Sequence, residues 1–346
     1  MRRFWTLVAL AVVGLLGGAA LASGNGRPTH TLRTTHRHRT GARWVSQPRH
    51  QKHHKHRRHR RHRRKHGAQG TAPAAPPTTP TGGGTLPSGP CPSDPPGSSQ
   101  TAGGHTYAFE GMDTFTRAAP VGSFAQAAAD QIVYIGDHGM SWTGYGDGWR
   151  STYSGGAEGY QPSTVLSVHD GVLDFYLHND SSGNPVGADP SPLPAGNRYQ
   201  TYGVWSFCER VAPDGSSDLA DFHQAPLLWP QNDGDAKSAE SDYPEATLNQ
   251  LDFSGYSHYG GSGSQDAFDV RSVQPSFDSS QWHVYTQAWG PGFRSYYVDG
   301  ELVGTSTNQV WSGPERWQLQ VEPSGTNDGG SGHVYVKWIW IGTAIS

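Results

Sequence analysis

The amino-acid sequence predicts an all-β fold, a two-sheet antiparallel sandwich of jelly-roll type, and three observations carry that expectation. The 346 residues include 46 Gly, 25 Pro, 12 Trp and 15 Tyr with only 34 % hydrophobic residues, which is too loop-rich for a helical bundle and too polar for a membrane bundle. Short alternating or β-branched runs recur between turn signals from residue 164 to the end. Two of the breaks are Asp170-Gly171 and Asp299-Gly300, dipeptides suited to tight hairpin turns because glycine accepts positive φ without a steric cost.

Taken in order, the expected strands are Thr164 to His169, Val172 to His178, Gly203 to Arg210, Trp282 to Ala288, Ser295 to Val298, Arg316 to Val321 and His333 to Ile341. Only Ser123 to Ile132 has the pattern of a helix, and it is short. No internal repeat stands out. Gly-x-Gly-x-x-Gly before a helix, a Walker loop and Cys-x-x-Cys pairs are all missing, so the sequence gives no support to nucleotide binding or structural zinc. No Gly-x-Ser-x-Gly context offers a nucleophilic serine either.

The part ahead of this pattern divides by composition. Residues 1–22 read as a signal peptide: Met1-Arg2-Arg3, an apolar run from Phe4 to Leu16, then small residues with Ala20-Leu21-Ala22 before Ser23. The competing reading is a membrane anchor, for which the apolar run is short against the ~20 residues a span needs. Residues 23–66 form a basic tail expected to be disordered, with 15 Lys+Arg and 10 His between residues 27 and 66 and no acid before Asp94. From residue 67 onward the balance reverses to −20 with histidine neutral. An exported polycation points to an anionic cell-envelope polymer as partner rather than to specific nucleic acid, and the histidines are alternative metal ligands. The competing reading is a solvated tail without a ligand. Residues 67–104, rich in Pro, Gly, Ser and Thr, read as a flexible linker, and residues 105–346 as the folded domain. Cys91 and Cys208 are the only cysteines; export permits a bridge, and two free thiols are equally compatible with the sequence.

The most informative stretch is Glu240-Ser241-Asp242-Tyr243-Pro244-Glu245. Glu240 and Asp242 share a strand face because side chains alternate, whereas Glu245 points away unless one extra residue intervenes. A β-bulge there would restore the parity, and Pro244, with no N–H for a ladder, suits it. Three acids on one face cannot all ionise cheaply, so one glutamate is expected to hold a proton beside a charged partner. Retaining glycoside cleavage needs such a pair about 5 to 5.5 Å apart, one carboxylate attacking the sugar and one acid protonating the leaving oxygen. An acidic edge or a Ca²⁺ site would leave the same pattern.

Several further segments occur in order around these acids. They are Val165 to Leu173, Tyr202-Gly203, Leu227-Leu228-Trp229-Pro230, His258-Tyr259-Gly260, Trp282-His283-Val284-Tyr285, Trp289-Gly290-Pro291 and Tyr297-Val298-Asp299-Gly300. With them, residues 105–346 resemble the laminarinase-like enzymes of glycoside hydrolase family 16, in the concanavalin A-like sandwich class. The resemblance implies Glu240 as nucleophile, Asp242 as its helper and Glu245 as acid/base. Ala239 and Ser241 depart from the family's Gly and apolar flanks of the first Glu, and no Trp stands in Asp235-Ala236-Lys237-Ser238. The family's cleft-facing Arg on the strand after Tyr-Gly has its counterpart in Cys208, which leaves Trp205, on the other face, to the core. The last-strand Asp of the family's calcium site corresponds to Lys337, so no metal and no cofactor is expected.

For substrate binding the candidates are Trp229, His258 and Gln320. Trp229 is a sugar platform or a packing residue, and Gln320 binds hydroxyls or is an exposed strand residue. Of His258 and Tyr259 only one can face the cleft, and the resemblance favours His258. His283 reads as a satisfied structural histidine. The sequence thus leads to a secreted, monomeric, retaining endo-hydrolase of a β-glycan, foremost a β-1,3-type glucan, with a non-catalytic glycan-binding lectin on the same sandwich as the alternative.

Overall fold

The computed structural model describes residues 83–87, 89, 91–92, 95–125, 131–151, 159–250, 252–324 and 328–345. All belong to the second of two units, Thr71–Ser346. The expected signal peptide, the basic tail and the first part of the linker lie outside the described residues. No helix among the described residues is long and apolar enough to cross a membrane.

Two large sheets pack face to face, as alternating strands with one apolar face require. At the centre of the twelve-stranded sheet runs Gly332–Ala344, paired antiparallel with Gly203–Pro213 on one side and with Val172–Asn179 and then His105–Asp113 on the other. His283–Gly290, Phe293–Val298 and Glu301–Ser306 continue this sheet beyond Gly203–Pro213. The five-stranded sheet has the order Ser264–Asp269, Ser254–Tyr259, Ser241–Thr247, Phe222–Pro230 and Glu315–Pro323. Pro190–Pro194, Met140–Gly144 and Tyr134–Ile135 form a small third sheet.

The core lies between the large sheets. Trp205 and Phe207 of the twelve-stranded sheet meet Trp317, Leu319 and Tyr243 of the five-stranded one, all within a single buried cluster. The Trp205 and Trp317 rings are 4.8 Å apart between centroids. Both Asp-Gly turns form with positive φ at each residue, and strands flank them as expected.

Four sequence expectations change. The strand expected from Thr164 begins at Leu166, because Pro162, with its φ already helical, opens a one-turn helix over Pro162–Val165. Ser123 and Phe124 lie in a turn, and the described residues within Ser123 to Ile132 contain no helix, while 126–130 lie outside the description. The folded sheet starts ahead of His105: Ser99–Ala102 pairs antiparallel with His105–Asp113 through Gly103-Gly104, whose φ values of 57° and 79° make the tight turn. Cys208 does not face a cleft. It is buried on the outer face of the twelve-stranded sheet in a second apolar cluster with Ala102, Tyr107, Val204, Trp338 and Trp340, bonded to Cys91 with 5.6 Å between Cα atoms. The disulfide straps Cys91, Pro92 and residues 95–102 over that face. Trp338 Nε1 donates to the Pro92 carbonyl at 3.2 Å and Trp340 Nε1 to that of Gly97 at 2.9 Å. Lys337 is the extra residue where the pairing of Gly332–Ala344 with Gly203–Pro213 shifts register between Cys208 and Glu209.

Candidate active site

The acids stand on the outer face of the five-stranded sheet. Asn232, whose side chain accepts from Gly234 N, starts a turn that passes through the short helix Ala236–Ala239 and delivers Glu240 to the edge of the strand Ser241–Thr247. His258 N donates to the Glu240 carbonyl at 3.0 Å and continues the ladder one residue past the strand. Asp242 is registered with Leu227 on one side and Tyr256 on the other. Both ladders shift register before Glu245, between Gln224 and Leu227 and between Asp242 and Glu245, and the Tyr243–Pro244 peptide within the shift is cis. Because of the shift Ser241, Tyr243 and Ala246 are buried on the core side, and Glu240, Asp242 and Glu245 share the other face.

Polar groups of the twelve-stranded sheet hold this strand from behind. Arg294, wholly buried, donates through Nη1 to the carbonyls of Ala239 at 2.5 Å and Glu240 at 3.2 Å, and through Nη2 to Glu315 Oε2 at 2.7 Å. Gln287 Nε2 donates to Ser241 Oγ at 2.6 Å, and Tyr296 OH to the Tyr256 carbonyl at 2.8 Å.

In front, His258 Nε2 is 3.5 Å from Asp242 Oδ2, and Glu240, Asp242 and His258 bring potential ligand atoms within 4.8 Å of one another. That trio is the set among the described residues that could hold a cation, and it contains two of the three acids the resemblance marks as catalytic. Burial, reinforced by the charge of Asp242, pushes the Glu240 carboxyl up to about 8. Burial and then the Glu245 charge push Asp242 well above the usual carboxylate range, with Arg294 opposing. Two acids this close titrate as a pair. Glu245 accepts on Oε1 from His223 Nε2 at 3.1 Å. Glu322 accepts on Oε2 from Ser151 Oγ at 2.6 Å and on Oε1 from Gln320 Nε2 at 2.8 Å.

Beside the acids opens a pocket of about 260 Å³, walled by Tyr145, Trp149, Tyr160 and Trp229 with Gln318 and Gln320. Trp149 is 52 % exposed, its ring centroid 5.0 Å from that of Tyr145. Trp229 Nε1 donates to Asp233 Oδ1 at 2.8 Å, fixing the indole at the rim. A ring that is held at its polar end with a face left open is the form a sugar platform takes. Trp229 and Gln320 therefore line this pocket, and His258 stands with the acids instead. His283 is bonded through Nδ1 to Asp299 at 2.7 Å and through Nε2 to the Asp278 carbonyl at 3.0 Å, away from the site.

Sequence reasoning missed His223, Glu322, Arg294 and Trp149. The first three reach the acids only through strand pairing or from the opposite sheet. Trp149 follows the Gly-rich run Gly144-Tyr145-Gly146-Asp147-Gly148, a signal for a surface loop that says nothing of its neighbour.

No family model matches the chain, and no curated protein matches it. Solved structures do. The catalytic domain of an endo-1,3-beta-glucanase (laminarinase) from Thermotoga petrophila RKU-1 superposes with a TM-score of 0.52 at 14 % identity, over 70 % of this chain and 100 % of that one. The endo-beta-1,3-glucanase of Pyrococcus furiosus gives 0.50 at 11 % identity over 72 % and 99 %. SCLam, a non-specific endo-beta-1,3(4)-glucanase from family GH16, gives 0.50 at 15 % identity over 76 % and 97 %. At these identities the likeness is one of architecture: the chain has the sandwich fold of the family 16 endo-glucanases.

Proposed function

We propose that the protein is a secreted, retaining endo-hydrolase of a β-glucan, foremost of β-1,3 type, that needs no cofactor. The observation that carries the reading is the shared face of Glu240, Asp242 and Glu245 beside an aromatic pocket, in a fold shared with endo-1,3-beta-glucanases. In the first step the Glu240 carboxylate bonds to the anomeric carbon as the glycosidic C–O bond breaks, and Glu245 gives its proton to the leaving oxygen. In the second, Glu245 takes a proton from water, whose oxygen replaces Glu240 on that carbon. One negative charge shared by Glu240 and Asp242 avoids two like charges side by side and leaves Glu240 able to attack when the charge rests on it. A lectin on the same sandwich would bind sugar in the pocket without needing three acids on one bulged strand.

Release of new reducing ends from a panel of β-glucans, galactans and mannans tests the reading, with NMR observation of the first anomer formed. A retaining enzyme yields the β anomer first; binding without release on every polymer would establish the lectin instead. The basic tail is proposed to hold the enzyme on an anionic envelope polymer, and its attraction should weaken steeply with salt because screening acts over about 10 Å at 0.1 M. Equal retention on polyphosphate of the whole chain and of a chain shortened to Thr71–Ser346 would refute that part.

A further inference from the structure

We propose that His223 positions Glu245 for proton transfer, a role that rests on the hydrolase reading above. His223 lies on Phe222–Pro230, two strand positions before the register shift, with its side chain only 7 % exposed. Its Nε2 is 3.1 Å from Glu245 Oε1 and its Nδ1 3.5 Å from Thr247 Oγ1. A carboxylate only accepts, so Nε2 carries a proton toward Oε1, and the Thr247 hydroxyl meets the ring at Nδ1. Glu245 and Thr247 thus hold the ring from both ends.

The same register shift that turns Glu245 onto the acid face leaves it paired with Ser254 on one side but without a registered partner on Phe222–Pro230, so its carboxyl reaches diagonally to His223, which is itself paired with Thr247. The other titratable groups around this corner are Asp242 on the strand of Glu245, Tyr256 and His258 on Ser254–Tyr259, and Glu322 on Glu315–Pro323, directly opposite His223. Tyr160, on Gly159–Tyr160, donates to Glu322 at 3.2 Å. None of these replaces His223 as the donor to Oε1.

With Oε1 occupied by the imidazole N–H, Oε2 is the oxygen that carries the proton toward the leaving group and later takes one from water. The histidine itself touches no sugar; it holds the acid in one of its two rotations, as positioned proton donors require. A positioning role has a signature that a purely structural role lacks. Substrates whose leaving group must be protonated depend on it, and substrates whose leaving group departs as a stable anion do not.

The test measures kcat/KM, which reports the first bond-breaking step, on an unactivated β-1,3-gluco-oligosaccharide and on its 2,4-dinitrophenyl glycoside. His223→Leu should lower the first by about 100-fold and the second by less than about threefold, the scale of a general acid's contribution. His223→Gln, which keeps a side-chain N–H donor, should recover most of the oligosaccharide activity. Thr247→Val, which leaves the ring in place and removes the hydroxyl beside its Nδ1, is the milder variant should His223→Leu not fold, and it should lower oligosaccharide turnover several-fold with the activated substrate unchanged. Equal losses on the two substrates, or undiminished oligosaccharide turnover, would overturn the role of His223 alone. A parent protein inactive on both would remove the hydrolase reading and this role with it.

Discussion

Breaking the Cys91–Cys208 disulfide is the perturbation whose size follows most directly from the structure. The bridge closes a loop with a sequence separation of 117. In the chain-entropy account, a loop of that length constrains the unfolded chain by about 4.9 kcal/mol at 25 °C. The native state loses contacts as well, because the bridged strap covers an outer cluster that includes Val284, Trp338 and Trp340 and satisfies two indole N–H groups. For a domain of this size each kcal/mol moves the melting temperature by about 2–4 °C, so loss of the bridge should lower it by about 10–20 °C. The assay is calorimetric and denaturant unfolding of the oxidised protein beside the double variant Cys91→Ser, Cys208→Ala. Midpoints within about 3 °C would refute the reasoning, since the strap would then be held by its other contacts and the unfolded chain would gain little freedom.

Glu240→Gln and Glu245→Gln should each fold normally and lose at least about 100-fold in turnover on an unactivated glucan, as removal of a nucleophile or a general acid does; near-parental turnover in Glu240→Gln would show the wrong nucleophile. Stability should fall from pH 5 to pH 8. Burial raises Asp113, Glu209 and Glu315 to about 7 and Asp189 and Glu240 to about 8, so the folded state binds protons that the unfolded chain has already released above its ordinary carboxylate range. The part of stability these groups contribute is complete below about pH 4 and is lost as pH rises through 7 to 8; melting points that climb across that window would contradict it. Melting curves in EDTA and in excess Ca²⁺ should coincide, because Lys337 stands where the resemblance puts a metal-binding carboxylate; a Ca²⁺-dependent rise of several degrees would count against this.

The parts of the fold legible in the sequence were those encoded within a few residues. Asp170-Gly171 and Asp299-Gly300 specify their turns, and the alternation around Trp205 and Phe207 specifies a core face. The bulge was legible too, because three acids in an odd spacing around Pro244 have only one way to share a face. Ser99–Ala102 was not, since its composition continues that of the linker and only the Gly103-Gly104 turn returns it to the sheet. The alternation that puts Cys208 and Trp205 on opposite faces is legible, but what the Cys208 face meets is a property of sheet packing. His223 and Glu322 are separated by 99 residues and become neighbours solely by pairing of two strands, which no local pattern encodes.

The position of Glu240 depends on a buried charge that the sandwich would be expected to avoid. Removing Arg294 and Glu315 from water costs more than their mutual attraction reliably returns, so the pair is poorly explained as a source of stability. Its geometry offers another reason. The short helix Ala236–Ala239 ends under the strand, where its one internal bond, from Glu240 N to the Ala236 carbonyl, leaves the Ala239 carbonyl past the end of the helix. Arg294 reaches from the opposite sheet to the Ala239 carbonyl and, beside His258 N, to that of Glu240, fixing the backbone at the residue whose carboxyl points outward. Glu315 balances the guanidinium from the strand that also carries Gln318 and Gln320 into the pocket. A lysine would carry the charge but not the planar fork that spans two carbonyls and a carboxylate. The buried pair therefore joins the acids, the pocket strand and the back sheet into one rigid frame, which is what the proposed double displacement, with two carboxyls at a set separation, demands of its scaffold.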